Sequence, residues 1–228
     1  MERNNNGWRR AFQDSLPVFA GYMVLGFGFG ILLRTRGYGL GWALGMSVFI
    51  YAGSLQYVGI DLLSGGASFL TAAVTSLLVN ARHLFYGISM LDRYRDGGWR
   101  KPYLIFALTD ETYSIVCSGE GKDPAYCFRL SLLNQCYWVI GSVLGSLAGA
   151  ALPFDSTGID FSLTALFVTV VVDQWINERD HAPALIGIGA SVVCLLIFGP
   201  DSFLLPSMGV IVAALLLKMR RKEGTAHD

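Results

Sequence analysis

Apolar and polar positions follow one another along the chain in long blocks, so that eight apolar runs are separated by short polar connectors. A run of about 17–25 mostly apolar residues is long enough to cross a bilayer as one helix. The pattern therefore predicts an all-α, polytopic integral membrane protein with about six to eight hydrophobic segments, some of them broken or re-entrant. The runs cover residues 16–33, 40–63, 68–91, 103–118, 130–152, 161–176, 182–198 and 203–217.

These runs leave no room for a separate soluble domain. We predict a polar N-terminal tail at residues 1–15, a single transmembrane domain at 16–217 and a basic tail at 218–228. Both tails carry several Lys or Arg residues, which favours a cytoplasmic location for each.

Two local patterns predict how individual helices begin and pack. Pro17 suits the first turn of the first membrane helix, because proline has no N–H to leave unpaired there. The fifth segment carries Gly141, Gly145 and Gly149, a double GxxxG pattern. In a membrane helix that pattern predicts a face on which another helix packs closely.

The third segment carries a charge at membrane depth. Arg82 lies nine residues before Leu91, which places it roughly 13 Å inside a continuous helix of 1.5 Å rise. A charge near the midplane costs at least about 2.5–3.5 kcal/mol, so a polar group must face it. On a helical wheel it shares one arc with Thr75, Ser76, Asn80, His83 and Tyr86. Two interpretations follow: a buried ion pair that fixes helix register, and a transport pathway or ligand site.

The centre of the second segment has the composition of a broken helix. Small and polar residues cluster from Tyr51 to Gln56, and Gly53 and Ser54 lie among them. A half-helix that begins near Ser54 would present free N–H groups, which favour a carboxylate. The alternative interpretation is an intact helix with a Gly/Ser packing patch.

The fourth segment is short and carries Asp110 and Glu111 at its centre. Two adjacent carboxylates require compensation in a bilayer, and they point about 100° apart on a helix. One is predicted to pair with Arg82, which leaves the other for a substrate ammonium group or for a proton. The short span with a polar centre again predicts a broken helix.

Composition narrows the class of protein. The chain is 53% hydrophobic and 15% charged, with zero net charge, so no electrostatic case for nucleic acid arises. The four cysteines and three histidines lack metal-ligand spacing, so we expect neither a metal, nor another cofactor, nor a disulfide framework. No HExxH or GxSxG motif is present, which disfavours the common hydrolases.

The distribution of Lys and Arg does not by itself decide the orientation. Eight simple crossings from a cytoplasmic N-terminus would place ten of these residues inside and six outside. The basic connector 92–102 would then lie on the outer side, against the usual rule. If one of the first three segments and one later segment were re-entrant, that connector would move inside.

Five short motifs occur in order along most of the chain and together resemble the AzlC family of azaleucine-resistance, branched-chain amino acid permeases. They are Asp14–Pro17, Tyr51–Gln56, Asn80–His83, Leu108–Glu111 and Gly158–Phe161. The resemblance extends from Asp14 to about Ile176. One departure is Leu163–Thr164–Ala165, where the family pattern has a proline.

The resemblance implies the large subunit of a bacterial inner-membrane transporter that exports branched-chain amino acids with a separate small AzlD-type membrane subunit. A homo-oligomer is a further expectation. The hypothesis at this stage is a proton-coupled exporter of branched-chain or other hydrophobic amino acids, and not an enzyme. The rival is a non-transporting scaffold or regulatory subunit whose buried charges are structural.

Two sets of residues carry this hypothesis. For substrate binding we predict Gly53, Ser54, Gln56, Asn80, Arg82, Asp110 and Glu111. For proton coupling we predict His83 and Glu111, since the reference pKa of histidine, ~6.5, suits a proton carrier.

Overall fold

The computed structural model describes residues 2–117, 123–151, 180–199 and 203–225, together with positions 161, 164–165, 168, 171–172 and 175–176. Residues 158–160 and half of the sixth predicted segment, including Leu163, lie outside these residues. What is described is mostly helical and contains no strand, which confirms the all-α class. The chain forms two compact units, Met1–Leu163 and Thr164–Asp228.

Ten helices are described here, numbered in chain order. In the first unit they are α1 (Glu2–Thr35), α2 (Leu40–Phe49), α3 (Gly53–Ser64), α4 (Phe69–Val79), α5 (Ala81–Ser89), α6 (Lys101–Phe106), α7 (Asp110–Cys117) and α8 (Pro124–Ala151). In the second unit they are α9 (Ala182–Phe198) and α10 (Leu204–Thr225). A short 3-10 turn, Gly98–Arg100, precedes α6.

The first helix begins earlier than the position of Pro17 predicts. Pro17 lies inside α1, and the residues assigned to the polar tail form the first turns of that helix. Similarly, α8 begins at Pro124, so that the predicted loop before Leu130 is largely helical. In both cases a polar stretch continues the helix because an apolar run follows it directly.

The parallel pair α1 and α8 forms the frame of the first unit. A Cβ added to Gly30 would lie 2.1 Å from the Ser142 carbonyl oxygen, and one added to Gly145 would lie 2.0 Å from that of Phe27. Glycine is therefore required on both sides of this seam, which confirms the predicted packing face. Arg129 lies against Gly7 where both helices begin, at what we call the Trp8 end. Gly149 lies against Arg34 where both finish, at the Arg34 end.

Three predicted segments are broken near mid-depth. The second segment is interrupted at Ile50–Ala52, where Tyr51 has a φ of +44°, and α3 then begins at Gly53. The fourth is interrupted between Phe106 and Asp110. Both breaks confirm the predictions. The third segment was expected to be one helix, and that expectation is wrong because it breaks at Asn80.

The helix pair α2–α3 is a re-entrant hairpin, called here the first hairpin. It starts at the Arg34 end, directly after α1, and the Val48 carbonyl near its tip accepts a hydrogen bond from Gln135, close to the middle of α8. The chain then doubles back, because Gln56 reaches Ser47 and Gly59 contacts Met46. The first hairpin therefore enters and leaves the unit at the same end.

The following helices cross the unit and then form a second hairpin from the opposite end. The pair α4–α5 descends from the Arg34 end to the Trp8 end, where Tyr94 is buried with Ala11 and Tyr126. The second hairpin, α6–α7, rises from Trp99, which packs on Phe128, and its tip residue Ala107 belongs to the mid-depth core. It returns to the Trp8 end, where Arg93 donates to the carbonyl of Val116.

The two hairpins are related by sequence position as well as by shape. Trp42 and Trp99, Phe49 and Phe106, and Gly53 and Asp110 are each separated by the same number of residues. A long helix followed by a hairpin thus occurs twice, once in each orientation. Such an inverted pair, with broken helices meeting at mid-depth, is typical of secondary transporters.

The second unit is described by itself. Its helices α9 and α10 pack together, and Lys218 forms an ion pair with Asp180 at 2.5 Å.

In the described part of the chain, Gly7–Thr35 and Pro124–Ala151 are long and apolar enough to cross a bilayer. Large apolar side chains such as Phe69, at 90% exposure, and Leu196, at 80%, face outward. The chain is therefore an all-α membrane protein.

Candidate functional site

The candidate site lies where the three breaks meet inside the first unit. Arg82, at the start of α5, forms an ion pair with Asp110, at the start of α7, with 2.9 Å between Nη2 and Oδ2. The same Nη2 donates a hydrogen bond to Ser54 Oγ at 3.2 Å, on the first turn of α3. One residue from each broken segment thus takes part, and the predicted partner of Arg82 is Asp110.

The ion pair keeps unused hydrogen-bonding capacity. Arg82 Nε and Asp110 Oδ1 are buried and make no hydrogen bond to any described residue. The two side chains are nevertheless 36% and 35% exposed. Buried polar atoms are rarely left without partners in proteins, so a free donor beside a free acceptor indicates a place for a polar ligand.

Glu111 points away from the ion pair, as the 100° offset between neighbouring helix positions requires. Its carboxylate accepts a hydrogen bond of 2.6 Å from the hydroxyl of Tyr22, on α1. The Tyr22 hydroxyl also lies 2.8 Å from Thr109 Oγ1. The two acidic side chains therefore have different partners, and Glu111 belongs to a hydrogen-bond network that joins α7 to α1.

The tip of the first hairpin is held by α8. Gln56 is fully buried; its amide nitrogen donates to Ser47 Oγ at 3.2 Å, and its carbonyl oxygen accepts from the indole N–H of Trp138 at 2.8 Å. A Cβ on Gly53 would lie 3.1 Å from the Trp138 ring. Both ends of the Gln56 amide are thus occupied within the protein, while Ser54 faces Arg82.

The remaining two predicted residues lie at the break of the third segment. The Asn80 backbone links α4 to α5, and its carbonyl oxygen is 3.3 Å from His83 Nδ1. The His83 ring also packs against Tyr86 with 5.7 Å between centroids. His83 is half-buried, and among the described residues its ring forms no hydrogen bond with Asp110 or Glu111.

Sequence reasoning missed Tyr22, Trp138 and Asn134, which complete the surroundings of the site. Asn134 shares the signal that revealed Arg82, since Asn134–Gln135 is a polar pair in the interior of an apolar segment. Tyr22 and Trp138 have no such signal, because aromatic residues are common in membrane helices.

Metal chemistry has no support in the part of the chain that the structure describes. No group of three His, Cys, Asp or Glu residues there could hold a metal ion. The four cysteines are free thiols, so none of them forms a disulfide.

Comparison with known proteins identifies relatives of this chain. The family model described as AzlC protein matches residues 17–152. The chain is 40% identical to the branched-chain amino acid transport protein AzlC of Bacillus subtilis, over 98% of this chain and 91% of that protein. It is 43% identical to an uncharacterized membrane protein of Helicobacter pylori strain J99, over 94% and 97% of the two chains. It is 28% identical to the inner membrane protein YgaZ of Escherichia coli, over 79% of each. No solved structure matches the chain significantly.

Proposed function

The chain belongs to the AzlC family, and on this premise we propose that it is a secondary transporter of branched-chain or other hydrophobic amino acids. The relative in Bacillus subtilis is named as a transport protein for branched-chain amino acids, which supports the substrate class. In the same proposal the chain crosses the bacterial inner membrane several times, exports its substrate, and has no catalytic role.

The observation that carries the proposal is the free donor and acceptor at the ion pair. A hydrophobic amino acid is a zwitterion, with a carboxylate that needs donors and an ammonium group that needs acceptors. Arg82 Nε supplies a donor, and Asp110 Oδ1 supplies an acceptor beside it. The substrate head group would then insert into the existing ion pair, so that every buried charge keeps a partner of opposite sign.

The first hairpin supports the carboxylate side of this arrangement. The start of α3 directs backbone N–H groups and the positive end of the helix dipole toward mid-depth, at Gly53 and Ser54. The Arg82 Nη2 that forms the ion pair with Asp110 also donates a hydrogen bond to Ser54. A substrate carboxylate is therefore expected between Arg82 and the first turn of α3, with the ammonium group on Asp110. Asn80 would shape the break, and Gln56 would hold the hairpin from behind.

Coupling to protons is assigned in this proposal to Glu111. Its carboxylate lies apart from the ion pair and is hydrogen-bonded to Tyr22, so it can change protonation without removing the partner of Arg82. His83 is the second candidate, since its ring lies on α5, one residue after Arg82. A small, separately encoded membrane subunit completes the proposed exporter, and assembly as a homo-oligomer is compatible with it.

The direct test is flux. Cells that carry the gene, with and without a neighbouring gene for a small hydrophobic protein, are loaded with radiolabelled leucine or valine, and efflux is followed. We expect faster efflux when both proteins are present. Unchanged efflux of every hydrophobic amino acid, together with no counterflow in proteoliposomes, would instead favour the non-transporting scaffold.

A further inference from the structure

Basic residues of the first unit gather at one end. Among the described residues, eight belong to the Trp8 end, where α1 and α8 begin and the connector before α6 lies: Arg3, Arg9, Arg10, Arg93, Arg95, Arg100, Lys101 and Arg129. The Arg34 end carries Arg34 and Arg36. The described acidic residues at the Trp8 end are fewer, namely Glu2, Asp14, Asp92, Asp96 and Asp123. The asymmetry of Lys and Arg, rather than net charge, is what orients a membrane protein.

The fold places the basic connector at this end. Because the first hairpin is re-entrant, it adds no crossing, and α4–α5 returns the chain to the side where α1 began. Tyr94, which is 2% exposed, fixes the connector in a core with Ala11 and Tyr126. The simple count of eight crossings, which put residues 92–102 opposite the N-terminus, is therefore wrong for this loop.

Two tryptophan–arginine pairs mark the same end as a membrane interface. The guanidinium of Arg100 lies 5.2 Å from the ring centroid of Trp99, a side chain that is 75% exposed. That of Arg129 lies 5.8 Å from the ring of Trp8. Tryptophan favours the headgroup region of a bilayer, and arginine beside it can reach lipid phosphates.

We propose that the Trp8 end is the cytoplasmic end of the first unit and that it lies on the anionic phospholipid headgroups of the inner leaflet. The ligand chemistry is a lipid phosphate, held by Arg95 and Arg100 and flanked by Trp99 at the depth of the headgroups. The Arg34 end then faces the periplasmic side. This inference does not depend on transport.

Cysteine labelling tests the orientation in the full-length protein. In a background with the four native cysteines replaced by serine, Asp96→Cys and Arg36→Cys mark the two ends, both at exposed positions. With a membrane-impermeant maleimide, we expect Arg36→Cys to react in intact cells and Asp96→Cys to react only in inverted vesicles. The opposite pattern would overturn the proposal.

Lipid dependence tests the partner. The melting temperature of purified protein is measured in vesicles of phosphatidylcholine with and without phosphatidylglycerol. We expect phosphatidylglycerol to stabilise the wild type and the matched control Arg34→Gln/Arg36→Gln, but to stabilise Arg95→Gln/Arg100→Gln much less. Equal stabilisation of both double variants would overturn the lipid contact, whatever the labelling shows.

A second, independent observation concerns Glu111. A chain of hydrogen-bonding groups leads from it into the protein: Tyr22 Oη at 2.6 Å from the carboxylate, Thr109 Oγ1 at 2.8 Å from Tyr22, Thr112 Oγ1 at 3.1 Å from Thr109, and Asn134 Nδ2 at 3.0 Å from Thr112. The four side chains after Glu111 are all buried. The other end of the Asn134 amide, Oδ1, makes no hydrogen bond to any residue that the structure describes.

The hydroxyls of this chain donate in one direction, from Tyr22 to Thr109 and from Thr109 to Thr112. With Glu111 ionised, the Tyr22 hydroxyl donates to the carboxylate, and the Asn134 N–H donates to Thr112. With Glu111 protonated, Tyr22 accepts from it and donates to Thr109, so that Thr112, at the end of the chain, needs an acceptor. A flip of the Asn134 amide supplies Oδ1, which makes no hydrogen bond to a described residue. Both protonation states of Glu111 therefore keep Tyr22 as a hydrogen-bond partner.

Resting on the proposed function, we infer that Tyr22, Thr109, Thr112 and Asn134 are positioning residues that hold the Glu111 carboxylate for proton exchange through their chain of hydrogen bonds. Other groups also act on Glu111. Besides Tyr22, they are Tyr51 at the first break and His83 on α5. The charged side chains next to Glu111 are the Arg82–Asp110 pair. The other helices contribute neutral groups. These are Asn134 of α8 and Tyr103 of α6, which donates to Gln135 at 2.7 Å.

The substitution Thr112→Val removes the middle of the chain at nearly constant volume. Its control is Ser131→Ala, which removes another buried hydroxyl, one that forms no hydrogen bond within the described part of the chain. Infrared spectroscopy follows the carboxyl band that Glu111→Gln removes, and counterflow measures transport without a proton gradient. In Thr112→Val we expect the pH midpoint of the band to differ from that of the wild type, because the chain of hydrogen bonds that ends at the carboxylate is interrupted. Counterflow should persist.

If the midpoint of the carboxyl band in Thr112→Val equals those of the wild type and Ser131→Ala, the role inferred for this chain of hydrogen bonds is overturned. If the wild type itself shows no counterflow, the proposed function is overturned instead. The infrared midpoint then still tests the chain of hydrogen bonds. The two failures are therefore distinguishable.

Discussion

The two re-entrant hairpins share a backbone arrangement and differ in the chemistry of their tips. In the first, the helix after the break begins with Gly53 and Ser54; in the second, it begins with Asp110 and Glu111. The first tip is held by buried, neutral hydrogen bonds, one that Gln56 accepts from Trp138 and one that it donates to Ser47. The second tip is held by a carboxylate that accepts from Tyr22.

The difference shows how an inverted pair can produce an asymmetric site. Both tips direct helix N-termini toward mid-depth, where the positive ends of the dipoles favour anions. Two acidic residues cancel that preference at the second tip only, and Arg82 is placed between the tips. One tip therefore suits a carboxylate and the other an ammonium group, which is the polarity of a zwitterion. Rocking of one repeat against the other would expose this centre to alternate sides.

The largest effect is expected where the two tips meet. In Arg82→Ala, Asp110 loses its ion-pair partner and Ser54 its donor, and an unpaired charge near mid-depth costs about 2.5–3.5 kcal/mol. We expect transport to be abolished and the amount of folded protein in membranes to fall. Flux in proteoliposomes and fluorescence-detected chromatography measure the two effects separately.

The double variant Arg82→Ala/Asp110→Asn is the matched control, because it removes both charges. We expect it to restore the amount of folded protein but not the transport. Full activity in Arg82→Ala would show that the ion pair only fixes the helices, and the comparison of the tips would lose its functional meaning.

Much of this arrangement could be predicted from the sequence, because charge inside an apolar run is a strong signal. The all-α membrane fold, the breaks near Ser54 and Asp110, the ion pair of Arg82 with an acid and the glycine seam of α8 were all predicted in this way. The assignment to the AzlC family is confirmed by the comparisons.

Other features depend on packing between distant segments. The break at Asn80 was missed because asparagine interrupts a helix only when neighbouring groups take up the freed backbone bonds. Re-entrant segments were predicted, but which segments they are was not. The roles of Tyr22 and Trp138 were missed because apolar and aromatic residues look alike in a hydropathy pattern. The single-domain assignment of residues 16–217 stays a prediction.

An intermediate effect is expected behind the first tip. Gln56→Leu keeps the approximate volume but leaves the Trp138 N–H and the Ser47 hydroxyl without their buried partner. An unsatisfied buried group destabilises a protein by about 1–3 kcal/mol. We therefore expect a lower melting temperature and slower transport, with the substrate KM little changed.

The double variant Gln56→Leu/Trp138→Phe removes the unpaired N–H together with its partner, and it should recover part of the lost melting temperature. A large rise in KM with unchanged stability would contradict this assignment. It would show that Gln56 contacts the substrate, as first predicted from its position in the break.

The smallest effect is expected at Ser54, and it separates the two interpretations of the first tip most sharply. Ser54→Ala removes one of the hydrogen bonds of Arg82 and leaves the ion pair with Asp110 intact. A single partly exposed hydrogen bond is worth about 0.5–1.5 kcal/mol, which corresponds to a change of roughly two- to tenfold in KM. If the start of α3 receives the substrate carboxylate, KM should rise by that factor while the melting temperature stays constant. The exposed Ser64→Ala, at the other end of the same helix, should change neither quantity. If Ser54 only steadies Arg82, the melting temperature should fall and KM should not change, and the carboxylate would then have to be assigned to Arg82 alone.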